Sequence, residues 1–204
     1  MKVEIKKIIN IAREAGDAIL EIYQKDFEVY TKKDESPLTE ADQAANKIIL
    51  EKLLANYPDI PYISEEVKQN DYSERKDWEY CWLIDPLDGT KEFIKKNGEF
   101  TVNIALIHKG EPILGVVHVP VQNKTYYAEK NQGAFVIENN GVPKQIENRT
   151  HYSELDEIIV VASRSHLSQE VVDFVDDLKA KGKQVEFLSS GSSLKFCLVA
   201  EGKA

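Results

Sequence analysis

Tyr80-Cys81-Trp82-Leu83-Ile84-Asp85-Pro86-Leu87-Asp88-Gly89-Thr90 is the stretch around which the rest of this chain is read. The apolar, β-prone run 80–84 predicts a buried strand, and the strand is expected to stop at Asp85, where proline follows. Pro86 has no N–H to give to a ladder and biases Asp85 toward extended backbone. Gly89 relieves crowding where a short helical stretch, 90–95, can begin. Asp85 and Asp88 are thereby expected on one tight turn at the end of a strand. Two carboxylates so close repel each other unless protons or a cation compensate. With the Leu87 carbonyl they form an oxygen-only set suited to a hard divalent ion such as Mg²⁺. The amides of Gly89 and Thr90 open the helix and offer the other side of the turn to an anion, and the combination suits a phosphate ester. A plain Asx-type turn, with Asp88 capping the helix, accounts for the same residues, and the stretch alone does not separate the two.

Upstream, residues 3–25 carry Ile5, Ile8, Ile9, Ala12, Ala15, Gly16, Ile19, Leu20 and Tyr23 at helical spacing, which predicts a long amphipathic helix. The polar segment Lys33-Asp34-Glu35-Ser36-Pro37-Leu38-Thr39-Glu40-Ala41-Asp42 leads into a second helix that starts near Thr39 and ends before Pro58. Asp42 stands three residues after Thr39, and spacing alone makes it the reciprocal acid of a capping box. Residues 61–64 are a short β-prone run entering Glu65-Glu66, which by itself is a solvated strand end. Residues 67–79 read as an exposed polar connection.

Downstream, the apolar runs 102–107, 113–119, 125–128 and 134–137 are separated by turn-forming residues and predict an antiparallel meander. From Glu157 the texture changes to strand 158–162, helix 167–181 stopped by Gly182, strand 185–188 and a further helix opened by Gly191-Ser192-Ser193, a βαβα order. A boundary near 148–156 divides an N-terminal α+β domain, 1–150, from a partial C-terminal α/β domain, 151–204. The loops Ser163-Arg164-Ser165-His166 and Ser189-Ser190-Gly191-Ser192-Ser193 each follow a strand and precede a helix, where open α/β sheets bind ligands. Serines there also cap helices, and Lys195 and His166 serve equally as anion ligands or as surface residues on spacing alone.

Composition limits the function classes. At 204 residues, 42% hydrophobic and 30% charged, the chain can bury a substantial core and is not globally disordered. A net charge of −9 argues against a nucleic-acid or anionic-membrane surface binder. The two cysteines, Cys81 and Cys197, sit in apolar segments and suggest neither a disulfide framework nor a zinc cluster. With no apolar run long enough for a bilayer, a cytoplasmic protein is expected, possible peripheral contact with the inner membrane face included.

Asp42 in its Pro-Leu-Thr-Glu-Ala-Asp context, Glu65-Glu66 and Asp85-Pro86-Leu87-Asp88-Gly89-Thr90 fall in an order that resembles the Mg²⁺-dependent, lithium-sensitive phosphatases of the inositol monophosphatase superfamily. Thr90-Lys91-Glu92-Phe93, the segment from Lys33 to Thr39, Ser163-Arg164-Ser165-His166 and Gly191-Ser192-Ser193-Leu194-Lys195-Phe196-Cys197 resemble its bacterial 3'(2'),5'-bisphosphate nucleotidases along the whole chain. That resemblance implies a layered α/β sandwich and removal of the 3'-phosphate from adenosine 3',5'-bisphosphate or its sulfated form. It implies Glu65, Asp85, the Leu87 carbonyl and Asp88 as metal ligands, with Asp42 and Thr90 as the catalytic pair that orients and deprotonates water. Substrate contacts are implied at Glu65, Leu87, Asp88, Gly89, Thr90, His166, Ser192 and Lys195. Two or three Mg²⁺ ions are implied, with Mn²⁺ able to substitute, Li⁺ and Ca²⁺ inhibitory, and a homodimer as a possible assembly. Inositol phosphates and fructose bisphosphate are the alternative substrates. A non-catalytic nucleotide- or divalent-ion-binding module is the alternative of another class. The resemblance also implies a continuation past Glu201-Gly202-Lys203-Ala204, with a substrate-contacting arginine and a Trp-Asp motif, so a C-terminally truncated form is expected, the last part of the second domain being absent.

Overall fold

A computed structural model describes residues 3–25, 29–31, 37–68, 71–147, 154–163 and 168–204, with backbone alone at 29–31 and 37–39. The apolar stripe of the N-terminal segment forms α1 (Ile5–Tyr23), which buries Ile8, Ile9, Ala12, Ala15 and Ile19. Two short strands, β1 (Val29–Thr31) and β2 (Pro37–Thr39), pair antiparallel, although neither segment alternates apolar and polar residues. They lead directly into α2 (Glu40–Asn56), whose Ala41, Ala45, Ile49 and Leu53 face inward. Both helices pack on each other and on one face of a seven-stranded sheet. Each fully buried Ile or Leu of that layer contributes about 1.5–3 kcal/mol relative to exposure.

The sheet runs in chain order: β3 (Tyr62–Ser64), β4 (Tyr80–Asp88), β5 (Thr101–His108), β6 (Glu111–Val119), β7 (Lys124–Glu129), β8 (Gly133–Glu138) and β9 (Lys144–Gln145). β3 lies parallel to β4, and every later neighbour is antiparallel, the expected meander. The connection between β3 and β4 contains one exposed turn of helix, α3 (Tyr72–Arg75). Trp82, Ile84, Ile104, Leu106 and Val116 point under the helices. The alternate residues Leu83, Ala105, Gly115 and Val117 line a groove of about 290 Å³ on the opposite face, which ends at Asp85 and Asn103.

The central strand departs from its expected end. β4 does not stop at Asp85 but continues to Asp88, with a register shift: Asp85 lies opposite Asn103 and Asp88 opposite Thr101. Three steps on β4 thus match two on β5, the signature of one bulged residue. Pro86 fits there because its missing N–H leaves no ladder bond unmade. The single turn α4 (Thr90–Ile94) follows, entered through Gly89 at φ +96, a left-handed conformation that a side chain resists.

After the sheet, β10 (Glu157–Ala162), α5 (Gln169–Ala180) and β11 (Gln184–Ser189) form a parallel βαβ unit, and α6 (Leu194–Ala200) returns toward the first sheet. Leu194 and Cys197 pack there with Val119, Tyr126 and Val136. Lys124 Nζ donates to Glu201 at 2.7 Å and lies 3.3 Å from Glu138, tying the end of α6 to β7 and β8. Among the described residues, no helix is long and apolar enough to cross a membrane.

α1 approaches β6 through Gly16. A Cβ built there would lie 2.6 Å from His118 Cδ2 and 3.1 Å from Pro120 Cγ. His118 is 3% exposed and cannot retreat, because its Nδ1 is 2.9 Å from Thr125 Oγ1, which also accepts from Arg13 Nε at 3.2 Å. Burial and the nearby Arg13 charge push the His118 pKa down to about 4, so the ring is neutral, and its Nδ1 and the Thr125 hydroxyl share one proton in a bond whose direction the tautomer sets. Gly16→Ala gains up to about 1 kcal/mol of helix propensity but incurs about 1–3 kcal/mol of overpacking. It is expected to lower the urea midpoint, a net loss of roughly 1–2 kcal/mol by chemical denaturation.

Candidate active site

A regular strand places residues three apart on opposite faces, because side chains alternate with a period of two. The bulge cancels that mismatch. Asp85 and Asp88 each share a face with their cross-strand partners Asn103 and Thr101, which are two apart on β5, so both carboxylates come to one side. Leu87 between them is 2% exposed and anchors the bulge in the core. The function expected of a turn is thus served by a bulged strand end.

The surroundings of Asp85 are strongly unfavourable to charge. Burial, then the charges of Asp88, Glu65 and Asp42, raise its pKa to about 8, although the Leu87 amide donates to it. Its Oδ1 is buried without a hydrogen-bond partner. Burial also raises the pKa of Asp88, against the Ser193 amide and the Lys195 charge. Asp42, 1% exposed in the first turn of α2, is within electrostatic reach of Asp85 rather than out on a solvated helix end. The Thr39 side chain of the expected capping box lies outside the described residues. Glu65 is exposed at the end of β3, with its amide donating to Ile84 O at 3.2 Å.

Asp88 does not cap α4: the residue before the helix is Gly89, and no side-chain cap bond forms. At five residues α4 offers local amides but little macrodipole, so the expected phosphate-holding helix is weaker than its sequence implies. Thr90 Oγ1 turns back toward Leu87 O at 3.5 Å. Among the described residues, no three His, Cys, Asp or Glu side chains close on a common point tightly enough to hold an ion unaided. A donor set for a cation there would need oxygens beyond these side chains. The orphaned Asp85 oxygen and the unbalanced carboxylates fit a hard divalent ion.

The loop between β11 and α6 closes the site from the other sheet. The Ser193 amide donates to Asp88 Oδ2, and the Gly191 amide donates to Glu99 Oε2 at 2.7 Å. Ser192, at φ +50, accepts from the Leu194 amide at 3.2 Å, a capping role of the kind its composition suggests. Lys195 donates to Ser192 O at 2.6 Å while its charge acts on Asp88. Ser193, which touches Asp88 directly, was not among the expected site residues. In sequence it is one serine among several that serve as caps, and only the fold distinguishes it. His166 lies outside the described residues.

The site is thus a bulged strand end whose paired carboxylates lie on the sheet face away from α1 and are met by a serine-lysine loop. Residues 2–204 match the inositol monophosphatase family, and the chain belongs to that family. Within it, the 3'(2'),5'-bisphosphate nucleotidase CysQ of Salmonella typhimurium is 48% identical over 202 residues, 98% of this chain and 78% of that protein. The crystal structure of CysQ from Bacteroides thetaiotaomicron superposes with a TM-score of 0.79 at 43% identity, covering 98% of this chain and 77% of the other. An inositol monophosphatase/NADP phosphatase solved with Mg²⁺ and phosphate shares the fold at 22% identity and a TM-score of 0.76, over 97% of this chain and 71% of that one.

Without divalent ions, Asp85 imposes a pH dependence of defined sign. Its folded pKa of about 8 lies above the ordinary 3.8, so between those values the folded chain holds a proton that the unfolded chain has lost. Stability is fully present below pH 4 on this account and falls as pH rises toward 8, by at most about 1.4 kcal/mol per pH unit. Asp85→Asn is expected to flatten that slope and raise stability at pH 8. Urea melts of both proteins in chelator at several pH values check this, and an unchanged slope counts against the burial of this charge.

Proposed function

We propose that this chain is a divalent-cation-dependent phosphatase that converts adenosine 3',5'-bisphosphate to AMP and phosphate by direct attack of water. The observation that carries the reading is Asp85: a buried carboxylate with an orphaned oxygen, opposed by three other acids, on a face it shares with Asp88. Such a charge excess is stable when a cation joins it. The choice of a nucleotide 3'-phosphate is supported by relatives that bear the name bisphosphate nucleotidase over nearly the whole of this chain.

In this reading Glu65, Asp85, the Leu87 carbonyl and Asp88 hold Mg²⁺. Divalent ions there supply Lewis-acid activation of water and neutralise charge on the leaving oxygen. Thr90 orients the attacking water and Asp42, buried in the first turn of α2 within electrostatic reach of Asp85, takes its proton. Water oxygen bonds to phosphorus, the bond to the ribose 3'-oxygen breaks, and that oxygen takes a proton from solvent water while the proton given to Asp42 returns to solvent. Gly89 and Thr90 face the transferred phosphate, while Ser192, Lys195 and His166 take the nucleotide side. Residues 1–150 act as the metal-binding unit and 151–204 as the nucleotide-facing one, a division supported by their separate sheets. The acidic chain, at −9, is suited to a small anion carried with cations rather than to a nucleic-acid polymer.

Phosphate release from adenosine 3',5'-bisphosphate with Mg²⁺ tests the proposal, with inositol 1-phosphate as the competing substrate. Asp85→Asn is expected to lose on the order of a thousandfold in kcat/KM, equivalent to about 4 kcal/mol. Asp42→Asn keeps hydrogen bonding but cannot take a proton, so a loss of about a hundredfold or more in kcat is expected. Near-normal turnover by Asp42→Asn would return that residue to helix capping. Faster hydrolysis of the inositol ester would move the substrate class.

A further inference from the structure

We propose that Thr101, Asn103 and Ser193 form a positioning set for Asp88, through which the loop between β11 and α6 sets the divalent-ion affinity of the site. The inference rests on the phosphatase reading of that site and adds residues to which it assigned no role.

Ser193 reaches the carboxylate turn from the second sheet and is held there by a closed ring of hydrogen bonds. Its Oγ donates to Asn103 Oδ1 at 2.8 Å, and Asn103 Nδ2 donates to Thr101 Oγ1 at 3.2 Å. Thr101 Oγ1 and Ser193 Oγ are 2.8 Å apart. Each hydroxyl has one proton, and the serine proton is already directed at the asparagine oxygen. The threonine therefore donates across the third side, so each of the three bonds has its own proton, and the second Asn103 Nδ2 proton lies outside the ring. Rotating the Asn103 amide reverses the direction of all three bonds and keeps the count.

The ring stands beside both candidate metal-binding carboxylates by register. Thr101 is the cross-strand partner of Asp88 and Asn103 the partner of Asp85. Thr101 is wholly buried, and a Cβ at Gly89, the residue after Asp88, would fall 3.1 Å from both Glu99 O and Ser192 Cβ, so the loop packs closely on the strand end. The loop thus has one seat. From that seat the Ser193 amide donates to Asp88 Oδ2, which occupies that carboxylate oxygen and restrains the orientation of the group. Oriented outer partners of this kind are worth about 10–100-fold in metal affinity elsewhere. Without the ring, the amide would still exist but its position would not be defined, and ordering of Asp88 would be charged against ion binding.

The experiment is calorimetric Mn²⁺ binding in the absence of substrate, on the wild-type chain, Ser193→Ala, Ser193→Thr, Asn103→Ala and the near-isosteric Thr101→Val. Ser193→Ala, Asn103→Ala and Thr101→Val are each expected to weaken Mn²⁺ binding roughly tenfold, and Ser193→Thr, which keeps the hydroxyl, to hold it within roughly twofold. Phe196→Ala, a change at an exposed position of the following helix, is expected to bind as the wild type does. If Ser193→Ala does not fold, Asn103→Ala and Thr101→Val decide the matter. Wild-type affinity in the folded ring variants, with Asp88→Asn weakened, overturns the positioning set and leaves the metal site standing. Wild-type affinity in Asp88→Asn as well overturns both.

Discussion

One extra residue in β4 determines what this molecule can do. Carboxylates three apart in sequence belong on opposite sides of a sheet, and the bulge between Asp85 and Asp88 brings them to the same side. Neighbouring residues accommodate it. Pro86 removes an amide that the irregular ladder could not use, Leu87 is driven into the core, and Gly89 accepts the left-handed backbone that sends the chain into α4. The two-helix layer beneath provides the rigid floor, since Phe93 and Phe100, both without exposed surface, pack against each other and against Tyr23 of α1.

The same arrangement concentrates negative charge against the low-dielectric side of the sheet. Asp42 arrives from α2, Glu65 from the end of β3, and Asp85 and Asp88 from β4, so three elements bring acids within mutual influence. Against them the described residues set the Ser193 amide and the Lys195 charge, both from the far side of the molecule. Protein groups thus offset part of the repulsion at Asp88 and little of it at Asp85. A site in this condition is destabilising to the empty fold and favourable to a cation, and the two properties have one cause.

Much of this was legible beforehand because it rests on local chemistry. The period-two apolar runs predict the meander and the helical stripe predicts α1, while Asp-Pro-Leu-Asp-Gly points to a candidate site without separating a metal site from a plain turn. The bulge was not legible, because it is a relation between strands: Asp85 and Asp88 acquire a common face only through Asn103 and Thr101, which nothing in β4 specifies. The pairing of residues 29–31 with 37–39 escaped notice because those segments lack alternation. Spacing alone makes Asp42 a capping acid, the resemblance makes it a catalytic one, and its burial within reach of Asp85 is the physical observation that favours the second. Ser193 was hidden among serines with an ordinary explanation, and its neighbour Ser192 does make the capping bond.

The contact between Ser193 and Asp88 joins residues 105 apart in the chain. Helices α1 and α2 and the meander are built mainly from neighbours in sequence and can assemble early, whereas this contact pays a long loop-closure entropy before it contributes anything. The link between the bulged strand end and the loop before α6 thus cannot form until residue 193 is available, and on the ribosome it waits for that segment to emerge. A partly folded chain can hold its sheet and its acids in place while having little grip on a cation. Ion binding then reports completion of the fold rather than directing its first steps.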